Sequence, residues 1–448
     1  MARAKAKESP RKRALDVLCQ VFEKGAYANL ALQAALRGVD SRDAALVKQL
    51  VFGTVTYRQS LDYLLQRWLT RPLVKLDASV RNILRLGLYQ VLYLDMPDHA
   101  AVSESVNLAR AVTHQGSAGM VNAVLRRAVR EQEQLPWPKT GDQAYDLSIR
   151  YSFPQWMTSR WLERLGAEQT ERFCQAQNQA PGVDLRVNSL RATPEQVIEA
   201  LAGQGIAAAA HPLVPGSLRI SGGSLPGLQV LQDGRCSVQG AASTLVGLVV
   251  SPKTGELVYD LCAAPGGKSL HMAELMQNQG RVVAFDLHAG RLQLVTRAAK
   301  RLSVDSVQTV AADARSLPPS DWPQADRVLV DAPCSGMGVI RRKPDIRWQR
   351  QPEELAALSE LQGEILQAAA RLVRPGGILV YSVCSTEPEE STAVIERFLR
   401  LNSDYQPAEW PKPLQAIWID RLSAGHLTTY PHLDDLDGFF ICRLRRSS

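Results

Sequence analysis

Disulfide and zinc frameworks are what this 448-residue chain most plainly lacks. Its seven cysteines (Cys19, Cys174, Cys236, Cys262, Cys334, Cys384 and Cys442) are odd in number, widely spread, and form no CxxC or histidine-paired spacing. That argues against a disulfide-stapled scaffold and against structural zinc. Long apolar runs are missing too, since none approaches the ~20 residues that span a bilayer. Ahead of an amphipathic helix pattern stand Arg3, Lys5, Lys7, Arg11, Lys12 and Arg13, instead of the purely apolar segment of a secretory leader. A cytoplasmic protein with no membrane partner is expected.

What is present is ordinary globular material, with 45% hydrophobic and 22% charged residues and length for roughly three domains of about 150 residues each. The net charge of +7 is uneven, because residues 1–13 carry six basic groups against Glu8 alone. Such a surplus suits a polyanion, since each basic group that neutralises a phosphate releases condensed counterion. A merely solvated terminus is the alternative.

From Arg13 to about Arg130 apolar residues recur at helical spacing: Leu15, Leu18 and Phe22; Leu61, Leu64, Leu65 and Trp68; Val80, Leu84, Leu88 and Val91; Val121, Val124 and Leu125. This predicts an all-helical domain over 1–140, with Gly25, Gly53, Pro72, Pro97 and Gln115-Gly116-Ser117 as breaks. A polar passage from Glu131 to Asp146, containing Pro136, Pro138 and Gly141, reads as a linker. Over 145–235 a helix pattern (Trp156 to Phe173), a short strand (Leu185 to Val187) and a second helix (Pro194 to Gly203) predict a small α/β module.

Residues 236–448 alternate strand and helix in the manner of a parallel sheet with helices on both faces. The strands expected are Leu257–Tyr259, Val282–Phe285, Val307–Ala311, Arg327–Val330 and Ile378–Tyr381, with Phe439–Cys442 as a late addition open to antiparallel pairing. Asp260, Asp286, Asp313 and Asp331 fall at or just after the ends of the first four. Ligands of open α/β sheets bind at those carboxyl ends, near the point where strand order reverses. The turn Asp260-Leu261-Cys262-Ala263-Ala264-Pro265-Gly266-Gly267-Lys268 adds two glycines that allow close backbone approach, followed by a helix whose N-terminal amides favour an anionic group. The GxGxxG spacing is absent, so one carboxylate of a methionine-derived cofactor fits more easily than a dinucleotide pyrophosphate. Asp286 suits a ribose diol and Asp313 the adenine end; for any one aspartate, an N-cap or turn role is the competing reading.

Two cysteines follow strand-like runs fifty residues apart, in Asp331-Ala332-Pro333-Cys334-Ser335-Gly336 and Ser382-Val383-Cys384-Ser385. Together with the 260–268 turn, these runs resemble the S-adenosylmethionine-dependent RNA cytosine-5 methyltransferases, over about half the chain at motif level. The N-terminal half resembles the NusB-like RNA-binding domain fused to the Sun/Fmu branch, the bacterial 16S rRNA methyltransferases, through Gly53-Thr54-Val55 with Leu61-Asp62, Ile83-Leu84-Arg85-Leu86, Ser103-Glu104-Ser105-Val106 and Val121–Arg126. The resemblance implies a multidomain chain: an α-helical NusB-like N-terminal domain, a small α/β RNA-binding middle module, and a C-terminal Rossmann-like methyltransferase domain over 236–448.

Chemistry gives such an enzyme a use for a thiol. Carbon 5 of cytosine is a poor nucleophile until a thiolate adds at carbon 6 and turns the ring into an enamine. The residues alone leave open which cysteine attacks, because DNA cytosine-5 methyltransferases use the cysteine of a Pro-Cys dipeptide, here Pro333-Cys334. The resemblance assigns attack to Cys384, product release to Cys334, a hydrogen bond near N3 of the ring to Asp331, and a site role to Lys268. It implies a cofactor site of Cys262, Ala263, Ala264, Pro265, Gly266, Gly267, Lys268, Asp286, Asp313 and Asp331. It also implies S-adenosyl-L-methionine as cofactor, and 16S rRNA, free or in an early small-subunit particle, as substrate, with cytosine 967 as the family's target. No DNA partner and a monomer are expected.

Cys262 is read as lining the cofactor pocket without reacting, and Cys19, Cys174, Cys236 and Cys442 as small apolar packing groups. Arg341, Arg342, Lys343, Arg347 and Trp348 are read as phosphate contacts and a base-stacking partner beside the target nucleotide. Gln239, Tyr430-Pro431 and Asp437-Gly438-Phe439 also match the family pattern. A nicotinamide oxidoreductase would have the wrong glycine spacing and no use for twin thiols. A degenerate, non-enzymatic antitermination-like factor would have lost cofactor acids or thiols, and none is missing.

Overall fold

The computed structural model describes residues 8–221 and 225–448; Arg3, Lys5 and Lys7, half of the expected basic tail, lie outside the described residues. The chain divides into two compact units. One runs to Gln179 and also takes in Ile340–Arg350, and the other comprises Ala180–Val339 with Gln351–Ser448.

The first unit is helical: α1 (Pro10–Lys24), α2 (Ala28–Ala35), α3 (Ser41–Thr56), α4 (Arg58–Trp68), α5 (Ala78–Tyr93), α6 (Asp98–Val112), α7 (Gln115–Glu131), α8 (Gln143–Tyr151) and α9 (Gln155–Asn178). Local chemistry sets their ends. The Ser9 hydroxyl accepts from Lys12 N–H with Pro10 at the first position of α1, Gly25 closes that helix at φ 67°, and the Asp40 and Asp142 carboxylates cap α3 and α8. The predicted stripes are buried, including Leu15, Leu18, Leu61, Leu64, Leu65, Val80, Leu84, Leu88, Val121 and Leu125. Each such leucine or valine contributes roughly 1.5–3 kcal/mol. Among the described residues no helix is long and apolar enough to cross a membrane.

Three readings change here. Gly53 is no break but lies inside α3, where a Cβ would sit 1.8 Å from the Tyr89 ring of α5; space, not chain reversal, requires glycine. Arg11, Lys12 and Arg13 belong to α1, where Arg11 Nε donates to Gln90 Oε1 at 2.8 Å, Lys12 pairs with Asp16, and Arg13 donates to Ala35 O at 2.7 Å. These cations are taken up by their own and neighbouring helices.

Arg347 and Trp348 are likewise internal, because the segment Ile340–Arg350 is part of the helical unit. The Arg347 guanidinium is 0% exposed, donates to Thr56 O, Ser152 O and Asn178 Oδ1 at 3.2, 2.9 and 2.9 Å, and lies 4.1 Å from the centre of the Phe153 ring. Thr56 ends α3 and Ser152 follows α8, so one cation satisfies orphan carbonyls at two negative helix ends. Trp348 Nε1 donates to Val55 O at 2.7 Å. Neither side chain is a phosphate or base contact in this arrangement.

The second unit holds two sheets. In the smaller, β1 (Val183–Val187), β2 (Ala207–Ala210), β3 (Ser217–Ser221) and β4 (Cys236–Val238) pair antiparallel in the order β2-β3-β1-β4. Helix α10 (Pro194–Ala202), opened by a Thr193/Gln196 capping box, contributes Val197 and Leu201 to their core. Of residues 145–235, α8 and α9 pack with the helical unit and the strands with this one.

The larger sheet contains β5 (Leu257–Asp260), β6 (Arg281–Asp286), β7 (Val307–Ala311), β8 (Ala325–Asp331), β9 (Val373–Val383), β10 (Tyr405–Pro407), β11 (His426–Thr428) and β12 (Phe440–Arg446). Its order is β10-β12-β9-β8-β5-β6-β7, with β11 on β12. The pairs from β7 to β9 are parallel, and β12 joins β9 antiparallel, as the late apolar run suggested. Successive residues of each strand enter opposite cores. Val258, Val282, Leu329, Val380 and Ile441 face one; Tyr259, Val283, Val328, Leu379 and Cys442 face the other. Strands buried on both faces must be apolar throughout, which is why they read as runs and not as alternations. Helices α11 (Ala241–Val250), α12 (Gly267–Leu275) and α13 (Ala289–Leu302) supply the first core, and α14 (Glu354–Leu372) and α15 (Thr392–Leu401) the second. Strand order reverses at β5, which lies between β6 and β8.

Replacing Arg347 with Met would leave three acceptors unmatched in the helical unit, a loss on the order of 3 kcal/mol. The expected outcome is a lower urea midpoint with the salt dependence of RNA binding unchanged. Unaltered stability with a shallower salt slope would restore the phosphate-contact reading.

Candidate active site

Parallel strands deliver their last residues to one edge, and here that edge collects the predicted groups. Asp260, Asp286 and Asp331 are the final residues of β5, β6 and β8. Cys384 follows the end of β9 directly, and Cys334 lies three residues beyond β8. In the β8–β9 register Asp331 stands opposite Ser382. From that register the two following turns converge until Cys334 Sγ and Cys384 Sγ are 3.2 Å apart, both as free thiols.

Asp331 is held from two sides, accepting from Lys268 Nζ on Oδ2 and from Ser382 Oγ on Oδ1, each at 2.7 Å. Lys268, in the first turn of α12, lies 5.4 Å from the centre of the Phe439 ring. Burial opposes its charge most strongly, but the adjacent Asp331 carboxylate, Cys384 and Asp260 together more than offset it and hold the ammonium above the ordinary lysine range. The Cys334 thiol is pushed well up, first by its hydrogen bond to Cys384, then by burial, then by the charges on Cys384 and Glu390. A neutral Cys334 beside Cys384 follows from that setting.

The glycine-rich turn is braced by the acid expected to meet a ribose. Asp286 accepts from Ala264 N–H at 3.1 Å and His288 N–H at 3.0 Å, while Arg291 donates to Ala264 O at 2.7 Å. Gly266, at φ 101°, packs so closely that a Cβ would lie 2.9 Å from Val295. Cys262 is half-buried, and its thiol is raised beyond the usual range by burial and then by Asp260, Asp331 and Asp286, which makes it a poor nucleophile. Cys174, Cys236 and Cys442 are buried and are pushed up by burial as well.

A methionine-derived cofactor fits this turn on one independent observation. Asp260 is 1% exposed and accepts from Ser269 Oγ at 2.6 Å on one oxygen; its other oxygen, Oδ1, is buried and meets no donor in good hydrogen-bond geometry, the Cys262 backbone N–H bearing on the carboxyl more loosely. An acceptor left open beside a helix N-terminus matches a zwitterion, whose ammonium needs an acceptor and whose carboxylate needs amide donors. Leu287, which follows Asp286 and is 61% exposed, adds an apolar surface that the sequence reading passed over.

Asp313 is the exception among the four acids. It lies beyond the end of β7, caps the short turn Ala314–Ser316, and grips the Arg315 guanidinium at 2.6–3.1 Å. A cation two residues away has claimed the carboxylate, so the turn reading describes it in this structure.

Other matched segments support the site. The Gly438 N–H donates to Gly338 O at 2.8 Å, and a Cβ on Gly338 would meet Gly438 O at 1.8 Å; the Gly338 N–H in turn donates to Cys384 O at 3.0 Å. Asp437-Gly438-Phe439 thus backs both cysteine turns and provides the ring against Lys268. Gln239 accepts from Arg186, which pairs with Glu274 of α12, and Tyr430 N–H is capped by Asp434. Ser382, Ser335, Gln362 and Glu390 had no assigned role in the sequence. For Ser382 a signal existed, since residues i and i+2 of a strand share a face and Ser382 and Cys384 have that spacing.

A parallel sheet with helices on both faces, a glycine turn after its first strand, acids at its strand ends and paired thiols define a Rossmann-like methyltransferase domain. The comparisons name the branch. The family described as 16S rRNA methyltransferase RsmB/F matches residues 247–445, the NusB family matches 8–130, and the RsmF/B-like ferredoxin-like domain matches 153–224. The probable ribosomal RNA small subunit methyltransferase B of Bacillus subtilis is 36% identical over 449 residues, covering 98% of this chain and 99% of that one. The ribosomal RNA small subunit methyltransferase B of Pseudomonas putida is 38% identical over 395 residues, 87% and 89% of the two chains. The crystal structure of PH0851 superposes with a TM-score of 0.80 at 28% identity, covering 99% and 100%. The chain belongs to the RsmB/Sun family of rRNA (cytosine-5) methyltransferases. It is an S-adenosylmethionine-dependent enzyme that acts on carbon 5 of cytosine in rRNA by cysteine chemistry.

Burial pushes the Asp260 carboxyl up from 3.8 to about 7, against the Ser269 hydrogen bond and with Asp331 adding to the rise. Between about pH 4 and about pH 7 the native state therefore keeps a proton that the unfolded chain has released, and stability falls as pH rises through that window. Asp260→Asn should gain on the wild type by on the order of 2–4 kcal/mol across it, read from urea midpoints at both ends. A constant difference would show that the carboxylate is not held neutral.

Proposed function

We propose that this enzyme methylates one cytosine of 16S rRNA, cytosine 967 on the family pattern, with Cys384 as attacking thiolate and Cys334 serving product release. The observation that carries the reading is the 3.2 Å approach of the two sulfurs beside the Asp331–Lys268 pair. Bound S-adenosylmethionine supplies an electrophilic methyl group. In this reading the 262–267 turn, Asp260, Asp286 and Leu287 hold it, and Asp313 serves the adenine end only after releasing Arg315.

Cys384 adds to carbon 6, and the ring electrons move to carbon 5, which becomes the methyl acceptor. Asp331, paired with the Lys268 ammonium, accepts a hydrogen bond from the protonated N3 and steadies the electron-poor ring during addition. Once Cys384 is a thioether, the strongest influence keeping Cys334 protonated is gone. Cys334 then gives up its thiol proton to solvent and, as a thiolate, takes the carbon 5 proton; the electrons of that C–H bond restore the 5,6 double bond and expel the Cys384 thiolate, and N3 releases its added proton.

A duplex cytosine hides carbon 6, so the substrate nucleotide is single-stranded or flipped. An RNA loop meets that need at lowest cost. The helical domain over 1–140 and the module over 145–235 supply RNA recognition, on free rRNA or an early small-subunit particle, and the enzyme acts as a monomer.

With labelled cofactor and small-subunit rRNA, Cys384→Ala is expected to lose methyl transfer by a thousandfold or more, on the order seen when a nucleophile is removed, and to form no covalent RNA adduct. Cys334→Ala should accumulate the adduct, visible as a protein band shifted by bound RNA under denaturing conditions. Transfer that survives in Cys384→Ala would sink the assignment and favour attack by Cys334.

A further inference from the structure

Two thiols that share a hydrogen bond do not by themselves decide which sulfur carries the negative charge, because their mutual interaction is symmetric. Groups on either side must break the tie. Lys268 interacts electrostatically with Cys384. On the other side lies Glu390, which no reading of the sequence singled out.

Glu390 is 0% exposed and, among the described residues, no cation pairs with it. Its Oε1 accepts from Ser335 N–H at 2.7 Å and Gln362 Nε2 at 3.1 Å, and its Oε2 accepts from Ser335 Oγ at 2.5 Å. Gln362 Nε2 also donates to Pro333 O at 3.0 Å. The peptides on both sides of Cys334 are therefore held by one buried carboxylate and its amide neighbour. The hold reaches the second turn, since Ser335 Oγ lies 3.3 Å from Ser385 Oγ, next to Cys384. A carboxylate buried with neutral donors only is costly. Its charge nonetheless bears on Cys334, while the Lys268 ammonium bears on Cys384.

We propose that Glu390 is a positioning residue that selects the nucleophile: it clamps the Pro333-Cys334-Ser335 turn at the spacing the paired thiols need, and its uncompensated negative charge disfavours a thiolate at Cys334, leaving that state to Cys384. The proposal deepens the function stated above and rests on it only for the roles of the thiols. Groups around the pair include Lys268 of α12 and Asp331 of β8, Asp260 of β5 acting on Lys268, Glu390 from the turn before α15, Tyr381 of β9, and Arg397 of α15 acting on Tyr381. Tyr381 stays neutral, its phenol pushed well up by burial, Cys334 and Glu390, and its hydroxyl donates to Glu390 O at 2.6 Å.

The thiol-labelling arm of the test needs neither RNA nor cofactor, so its failure and the failure of the functional reading are distinguishable. The full-length enzyme is treated with limiting iodoacetamide across a pH series, and labelling of Cys384 and Cys334 is quantified by peptide mass spectrometry. In the wild type Cys384 should label at a pH lower than Cys334 by at least about one unit, the usual effect of a nearby like charge. Glu390→Gln keeps the side-chain shape and removes the charge, and should reduce that gap to a fraction of a unit, with kcat lowered about tenfold or more and the KM values for RNA and cofactor within about twofold. Ser335→Ala keeps the charge and loosens the clamp, and should retain the labelling order while kcat falls. Equal labelling of the two thiols in the wild type, which requires no variant to fold, would overturn the proposal. So would an unchanged gap in Glu390→Gln with its thermal transition intact.

Discussion

The register of β8 against β9 is the constraint on which the active site rests. Because Asp331 lies opposite Ser382, the turns that leave the two strands start level and bring Cys334 and Cys384 to 3.2 Å. A slip of one residue would turn every side chain of one strand to the other face. That slip is forbidden by burial, since Val328, Val330, Leu379 and Tyr381 fill one core while Leu329 and Val380 fill the other. Packing energy spread along two strands is thus converted into a fixed distance between two sulfurs.

Around that distance the fold tolerates buried ionisable groups it would otherwise avoid. Asp260 is buried with one oxygen unmatched, Lys268 is sunk against Asp331, and Glu390 has only neutral donors. Each costs stability when taken alone. They gather within reach of the strand ends, where tuning the protonation of thiols and ring nitrogens is useful. Arg347 is a different case: it is buried in the helical unit and answers helix-end carbonyls, so its charge serves structure.

Much of this was legible in the chain. The helical stripes from Leu15 to Leu125, the five parallel strands, the late antiparallel strand and three of four strand-end acids follow from local periodicity, and all are present. The short strands β2, β3, β4, β10 and β11 were not foreseen, because runs of three to five residues, such as Ala207–Ala210 with its single small residue type, carry too little pattern to separate strand from loop. The basic stretch around Arg347 and Trp348 was misread because composition cannot tell a solvent-facing cation from one that caps two helices. The Asp313–Arg315 pair was not foreseen, although its partner lies two residues away and needs no tertiary contact to reach it.

By itself the sequence determined the elements and the chemistry on offer: thiols after strands, acids at strand ends, and a glycine turn ahead of a helix. These are local properties, set by side-chain period and backbone freedom within a few residues. Only the tertiary structure decided which groups meet. The spacing of Cys334 and Cys384, the Lys268–Asp331 pair and the grip of Glu390 on Ser335 join residues 50, 63 and 55 positions apart. Such contacts depend on strand order, register and the packing of two cores, which no window of the chain contains. The asymmetry between two chemically identical thiols is of that kind, because it arises from what lies on either side of them in space.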